Sequence, residues 1–209
     1  MTQVTVPMTH IRQTTAYITE INFIHLEESD QDAAARALTI SARVMTQHPG
    51  FIALNILRST DGSRICTYTQ WQSVELLEAA RLAAEIQDRT SFRKYAQDGS
   101  GTPRIYDLVY CNDRSSEGVS IISSEYTGTI FINEITTIPG AKQDRLLELV
   151  VANNEVQSLN TPGYRSANFH KSRDGLRTVN FSLWDSEEHL IQAITAMADC
   201  SATTRFLIA

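Results

Sequence analysis

The chain has 209 residues, with 18 Lys and Arg against 24 Asp and Glu, a net charge of -6 and no basic cluster. That balance argues against nucleic acid and anionic membranes as partners, since both need a concentrated cationic surface. No run of about 18 apolar residues occurs and the N-terminal segment lacks the apolar core of a signal peptide, so the expectation is a soluble, cytoplasmic protein.

In chain order, residues 1–15 are polar and Thr-rich and read as an N-terminal arm. Residues 16–26 alternate and are β-branched, which predicts a strand. Ser29 is the expected cap of a helix over 32–47, stopped by His48-Pro49-Gly50. Strands over 51–59 and 64–71 then flank Asp61-Gly62, whose residues can take positive φ, so a hairpin is predicted. A longer helix follows over 76–96, amphipathic through Leu76, Leu77, Ala80, Ala83, Ala84 and Ile86, and a strand over 104–110 closes the unit.

The hairpin occurs twice. Pro49, Gly50, Asn55, Ser59, Asp61, Gly62, Arg64 and Trp71 return 113 residues later as Pro162, Gly163, Asn168, Ser172, Asp174, Gly175, Arg177 and Trp184, eight identities in 23 positions without a gap. Unrelated sequences would share roughly one or two, so the chain is a tandem duplication. Residues 111–128, rich in Ser and Gly, read as a linker in which 119–122 can pack or add an edge strand. The second copy repeats the scheme: strand 129–138 with a Pro139-Gly140 turn, helix 142–159, hairpin, helix from 186 and a short strand near 204–209. The domain reading is an arm at 1–15, a first repeat at 16–110, the linker, and a second repeat at 129–209.

Each copy is β-α-β-β-α-β, so the fold class is α+β, two tandem ferredoxin-like repeats, expected to pack sheet to sheet. On the last hairpin strand, alternation puts Thr178, Asn180, Ser182 and Trp184 on one face and Val179, Phe181 and Leu183 on the other. The apolar set suits a dry interface between sheets. The set with Asn180 and Trp184 then faces the helices, where a pocket could lie.

The three cysteines, Cys66, Cys111 and Cys200, lack CxxC spacing and read as reduced thiols. Cys66 aligns with Val179, which favours packing over a nucleophilic role. No GxGxxG after a strand, P-loop, HExxH or GxSxG occurs, so dinucleotide, nucleotide, zinc-protease and nucleophile-elbow readings fail and no metal site is expected. Asn55 and Asn168, identical at equivalent positions, suit a hydrogen bond to the neighbouring strand. A Trp closing the hairpin in both copies is as well explained by core packing as by a site. Of the histidines, His170 and His189 flank the second hairpin and are the preferred proton-transfer candidates over His25 and His48.

The pattern of strand, helix, PGF or PGY, DG hairpin and closing Trp resembles the antibiotic biosynthesis monooxygenase family, once per repeat. The resemblance implies a fused version of that family's dimeric α+β barrel. It also implies oxidation of an anthrone-type phenol to a quinone by O2 with no tightly bound cofactor, at an Asn and a Trp four residues apart on this strand. The second repeat shows that spacing as Asn180 and Trp184; the first has Thr67 before Trp71. Thr67, Tyr68, Trp71, Phe181 and Ser182 are the expected substrate-lining positions.

The tandem form also resembles angucycline ring-opening oxygenases. Those imply reduced flavin (FADH2 or FMNH2) or a hydroquinone as reductant, and a flavin reductase as partner. Arg81 and Ile194 stand where haem-degrading relatives place an axial His, which disfavours haem. The expected function is an oxygenase of an aromatic polyketide intermediate in antibiotic biosynthesis, able to form a homo-oligomer. A non-oxidative cyclase or isomerase, or a carrier of a hydrophobic intermediate, stands as the alternative.

Overall fold

Alternating apolar residues on strands that flank amphipathic helices produce the same four-stranded arrangement twice. The computed structural model describes residues 8–13, 16–87, 92–114, 118–123, 125–136, 143–158, 160–198 and 207–208. It divides into two compact units, one of Met1–Thr9 and Thr14–Tyr106, the other of His10–Gln13 and Asp107–Ala209.

The first unit holds β2 (Ile18–His25), α1 (Gln31–Met45), β3 (Phe51–Arg58), β4 (Arg64–Trp71), α2 (Val74–Gln87) and the start of β5 (Arg104–Asp113). Its sheet runs β5-β2-β4-β3, with β2 pairing antiparallel to β4 and β5, and β3 antiparallel to β4. In order of appearance this is 4-1-3-2, the ferredoxin-like order. The second unit holds β7 (Thr129–Thr136), α3 (Gln143–Ser158), β8 (Tyr164–Ser172), β9 (Arg177–Trp184), α4 (Glu187–Ala198) and β10 (Leu207–Ile208). Its order, β10-β7-β9-β8, is again 4-1-3-2. The chain is therefore α+β, two tandem ferredoxin-like repeats. Two short strands, β1 (Thr9–Ile11) and β6 (Ser120–Ile122), form a separate ribbon.

The duplication extends to fine detail. Both hairpins carry a register shift at the same place, between Phe51 and Ala53 and between Tyr164 and Ser166. Gly62 and Gly175 take φ of +74° and +78° at the two turns, a conformation that L side chains resist. In both units a glutamine at the helix start reaches into the hairpin: Gln31 Nε2 donates to the carbonyls of Ser59 (2.9 Å) and Arg64 (3.1 Å). Gln143 Nε2 donates to the carbonyls of Ser172 (3.5 Å) and Arg177 (2.6 Å).

Three sequence expectations shift. Ser29 does not cap α1; it lies in a 3-10 turn over Glu28–Asp30, and Asp30 at the N-cap makes no side-chain cap bond, the helix start being tied down by Gln31 instead. The helix predicted to Ala96 ends among the described residues at Gln87, and Arg93–Tyr95 forms a separate 3-10 turn, where Phe92, Tyr95 and Ala96 pack on the Ile24–Leu38–Ile65 cluster. β5 continues to Asp113, through three residues read as linker. Its residues 104–106 pair with β2, and from Asp107 it belongs to the second unit, where it neighbours β8. Ser120–Ile122 is the edge strand that the linker allowed. The Pro139-Gly140 turn, Cys200 and 204–206 lie outside the described residues. No helix among the described residues is long and apolar enough to cross a membrane.

Candidate active site

The helices identify which sheet face each side chain occupies. In the second unit, Leu147 of α3 and Leu190 and Ala193 of α4 share a buried cluster with Phe131, Tyr164, Ala167, Phe169 and Trp184. Trp184 therefore faces the helices, and alternation along β9 puts Ser182 and Asn180 beside it on that side. The pairing agrees, because Asn180 lies opposite Phe169 and Ser182 opposite Phe131 and Ala167.

Asn180 is half-buried, and its Oδ1 accepts the backbone N–H of Asn168 at 3.2 Å. An amide held by its oxygen turns its nitrogen the other way, and Nδ2 makes no hydrogen bond to any described residue. Trp184 is buried, meets Tyr164 edge-on with ring centroids 5.5 Å apart, and donates its Nε1–H to Ser182 Oγ at 3.0 Å. Ser182 in turn donates to the Phe131 carbonyl at 3.3 Å. The indole is thus a wall whose one donor is already engaged.

His189 lies in the first turn of α4, half-buried, with Nδ1 3.0 Å from Ser186 Oγ. Its ring lies against Gly163, where a Cβ would sit 2.2 Å from His189 Cγ; only glycine, at φ +71°, admits that approach. His170 is elsewhere. It shares a face with Val179 and Phe181, away from the helices, and is fully buried, donating Nδ1–H to the Asn168 carbonyl (3.0 Å) and meeting the Phe181 ring at 5.6 Å. Burial pushes its pKa down to about 4, against the pull of backbone hydrogen bonds to Asn168 and Val179.

The predicted set therefore divides. Asn180, Ser182, Trp184 and His189 belong to the helix side of the second unit. His170 and Phe181 occupy the opposite face, separated from the first group by the sheet itself. In the first unit, Thr67 and Trp71 face the helices, while Tyr68 is fully buried on the other face with its hydroxyl 3.4 Å from Thr19 Oγ1. Cys66 is buried beneath the same face, as packing requires. Asn168 donates to the Phe181 carbonyl of the neighbouring strand at 3.0 Å, and Asn55 reaches the Thr9 hydroxyl.

One pair was not singled out from the sequence. Glu20, buried on the helix side between Ile18 and Asn22, accepts hydrogen bonds from Arg81 of α2 at 2.6 and 3.1 Å. Burial raises its pKa and Arg81 opposes the rise. The signal available was a glutamate at an inward position of an alternating strand. Beside it, Asn22 Oδ1 and Trp71 Nε1 are buried without a hydrogen-bond partner among the described residues. Among the described residues no group of three His, Cys, Asp or Glu is arranged to hold a metal ion.

Residues 17–88 match the model of the family "antibiotic biosynthesis monooxygenase", a segment within the first unit. No curated protein matches the sequence. Among solved structures, the chain is similar to an anthrone oxidase-like protein, with 14% identity, a TM-score of 0.74, and coverage of 97% of this chain and 94% of that one. It is also similar to a protein assigned as a monooxygenase from Fusobacterium nucleatum subsp. nucleatum, at 11% identity and a TM-score of 0.62 over 92% and 91% of the two chains. A third, from Lactobacillus acidophilus, has 9% identity and a TM-score of 0.54 over 93% of each chain. At these identities the likeness establishes the fold over almost the whole chain, both repeats included.

Proposed function

We propose that this chain, whose residues 17–88 belong to the antibiotic biosynthesis monooxygenase family, is an oxygenase acting with O2 on an electron-rich aromatic phenol or quinol of the anthrone or angucycline class. The observation that carries the reading is the amide of Asn180, anchored through Oδ1 with Nδ2 unspent, beside the indole wall of Trp184.

The chemistry needs little more from the protein. Ground-state O2 is a triplet, and a deprotonated polycyclic phenol can give it one electron directly. In the anthrone case the ring methylene loses two hydrogens and gains one oxygen as a carbonyl, while the second oxygen atom leaves as water. A phenolate oxygen facing Asn180 Nδ2 receives a preorganised donor, typically worth about 3 kcal/mol of barrier. Trp184, Tyr164 and Phe169 supply a flat apolar surface that excludes water. Of the two histidines preferred in the sequence reading, His189 stands on this side of the sheet and is the proton acceptor of the proposal. His170, kept neutral by burial on the far face, has no part in it.

Oxygen uptake by the purified, chelator-treated protein with a hydroxyanthrone and with an angucycline-type quinol tests the reading, each with and without reduced flavin. Uptake without flavin supports quinone formation. Uptake only with flavin supports ring opening. No uptake in any arm overturns the oxygenase reading in favour of a cyclase or carrier.

A further inference from the structure

We infer that Ser120 and Asn168 are positioning residues of the second unit's site: acting from the sheet face turned away from the helices, they fix the side-chain amide of Asn180 with its nitrogen outward. This role rests on Asn180 being the donor of the proposed function.

Rotation about the last side-chain bond of an asparagine is broad and roughly two-fold, so rotamer preference does not decide which end of the Asn180 amide faces a ligand. Turned over, the amide would point Oδ1 at a developing phenolate and repel it. Among the described residues, the contact that selects the other orientation is the backbone N–H of Asn168, 3.2 Å from Asn180 Oδ1, because a donor accepts only the oxygen end. Which end reaches the ligand therefore depends on where that N–H points.

Asn168 is itself clamped. It is 0% exposed, and its Oδ1 accepts from Ser120 Oγ at 3.0 Å. Its Nδ2 donates to the Phe181 carbonyl at 3.0 Å and to Ser166 Oγ at 3.4 Å. Reversing this amide would set its oxygen against the Phe181 carbonyl, so the three bonds admit one orientation. The clamp sits just past the register shift between Tyr164 and Ser166, where regular pairing alone does not place the strand.

The first unit shows which parts are general. Thr9 and Ile11 return 111 residues later as Ser120 and Ile122, the same offset that relates Ile18 and Thr129, each paired with its closing Trp, so the short arm strand belongs to the repeat. An arm hydroxyl meets the hairpin asparagine in both units, Asn55 donating to Thr9 in the first. The second unit adds Ser166 where the first has Ala53, and Asn180 where the first has Thr67. Asn55 is half-buried, whereas Asn168 is fully buried. The extra hydroxyl and the amide to be oriented both bond Asn168.

The chain has nine asparagines, so selective 15N-asparagine labelling gives a sparse 1H–15N spectrum in which Asn180→Ala identifies the Asn180 side-chain pair by its loss. In Ser120→Ala the Asn168 amide is expected to exchange with solvent about tenfold faster, with the Asn180 side-chain pair shifted. Ser120→Thr, which installs the first unit's arm residue, is expected to restore parental values, and Thr9→Ala to leave both signals unchanged. Ser166→Ala is expected to act as Ser120→Ala does, and is read in its place should the latter fail to fold. In oxygen uptake, Ser120→Ala is expected to lower kcat about fivefold at unchanged KM, the worth of one buried hydrogen bond, and to have no further effect in the Asn180→Ala background. Parental exchange and side-chain resonances in Ser120→Ala and Ser166→Ala, an equal change in Thr9→Ala, or the same fractional loss of kcat with and without Asn180 would each overturn the proposal. Absence of oxygen uptake by the parent overturns the oxygenase reading instead, and the spectra then decide the positioning by themselves.

Discussion

The carboxylate of Glu20 accepts both a 2.6 Å and a 3.1 Å hydrogen bond from the Arg81 guanidinium, in a fold whose second copy places Phe131 and Ile194 at the corresponding positions. A duplicated frame has therefore diverged at its inward positions while keeping its turns. Removing only Arg81 leaves a buried carboxylate uncompensated. Arg81→Ile is expected to lower stability by about 3 kcal/mol, the usual penalty for breaking such a pair. The double change Glu20→Phe with Arg81→Ile, which copies the second repeat, is expected to recover to within about 1 kcal/mol of the parent. Urea unfolding of the three proteins measures both; a double variant no better than the single one would contradict the account.

His170 makes stability depend on acid. Its pKa falls from an ordinary 6.5 to about 4 because the imidazolium would have no water around it. The folded state thus refuses a proton that the unfolded chain accepts. Stability from this group is present above pH 6.5 and is lost as pH falls through that value towards 4, for a total of about 3 kcal/mol at 1.36 kcal/mol per pKa unit. Urea unfolding at pH 7.5 and pH 4.5 is expected to show a larger loss in the parent than in His170→Leu. Equal losses would mean that the imidazole is charged in place.

Gln143 Oε1 is buried without a partner among the described residues, whereas its counterpart Gln31 Oε1 accepts from Arg58 Nε at 3.1 Å. Arg58 can do this while also pairing with Asp32 at 2.7 Å, because a guanidinium is a fork. Lys171 stands at the Arg58 position and spends its ammonium on Asp144. Lys171→Arg is therefore expected to stabilise by about 1 kcal/mol, the worth of one buried hydrogen bond. A Tm that does not rise would show that the carbonyl is satisfied in another way.

Gly163→Ala is expected to cost 2 kcal/mol or more, from strain at φ +71° and from the clash with the His189 ring. Adding His189→Ala is expected to recover the clash and leave roughly 1 kcal/mol of backbone cost. Thermal unfolding of the single and double variants separates the two contributions.

Turn chemistry and strand alternation wrote the frame legibly. Pro-Gly, Asp-Gly and the closing Trp located both hairpins, and the alternation along 177–184 put Asn180, Ser182 and Trp184 on the helix side, as found. What local pattern cannot show is which residues of different strands share a face. His170 flanks the hairpin in sequence, yet an odd count of residues from Phe169 sends it to the other side of the sheet. Gln31 and Gln143 carry no local sign of their role, since their partners lie 28 to 34 positions away in the hairpins. Glu20 was lost inside an alternating strand because its partner, Arg81, sits 61 residues on.

The most direct test of the central claim is the steady-state rate of oxygen consumption with a hydroxyanthrone for the parent and for Asn180→Ala. If Asn180 Nδ2 is the donor to the developing phenolate, kcat falls on the order of 100-fold, as for loss of one oxyanion donor, with far-UV circular dichroism unchanged and stability lower by about 1 kcal/mol for the lost bond to the Asn168 N–H. If Asn180→Ala consumes oxygen at the parental rate, the amide is structural and the site has been assigned to the wrong residues.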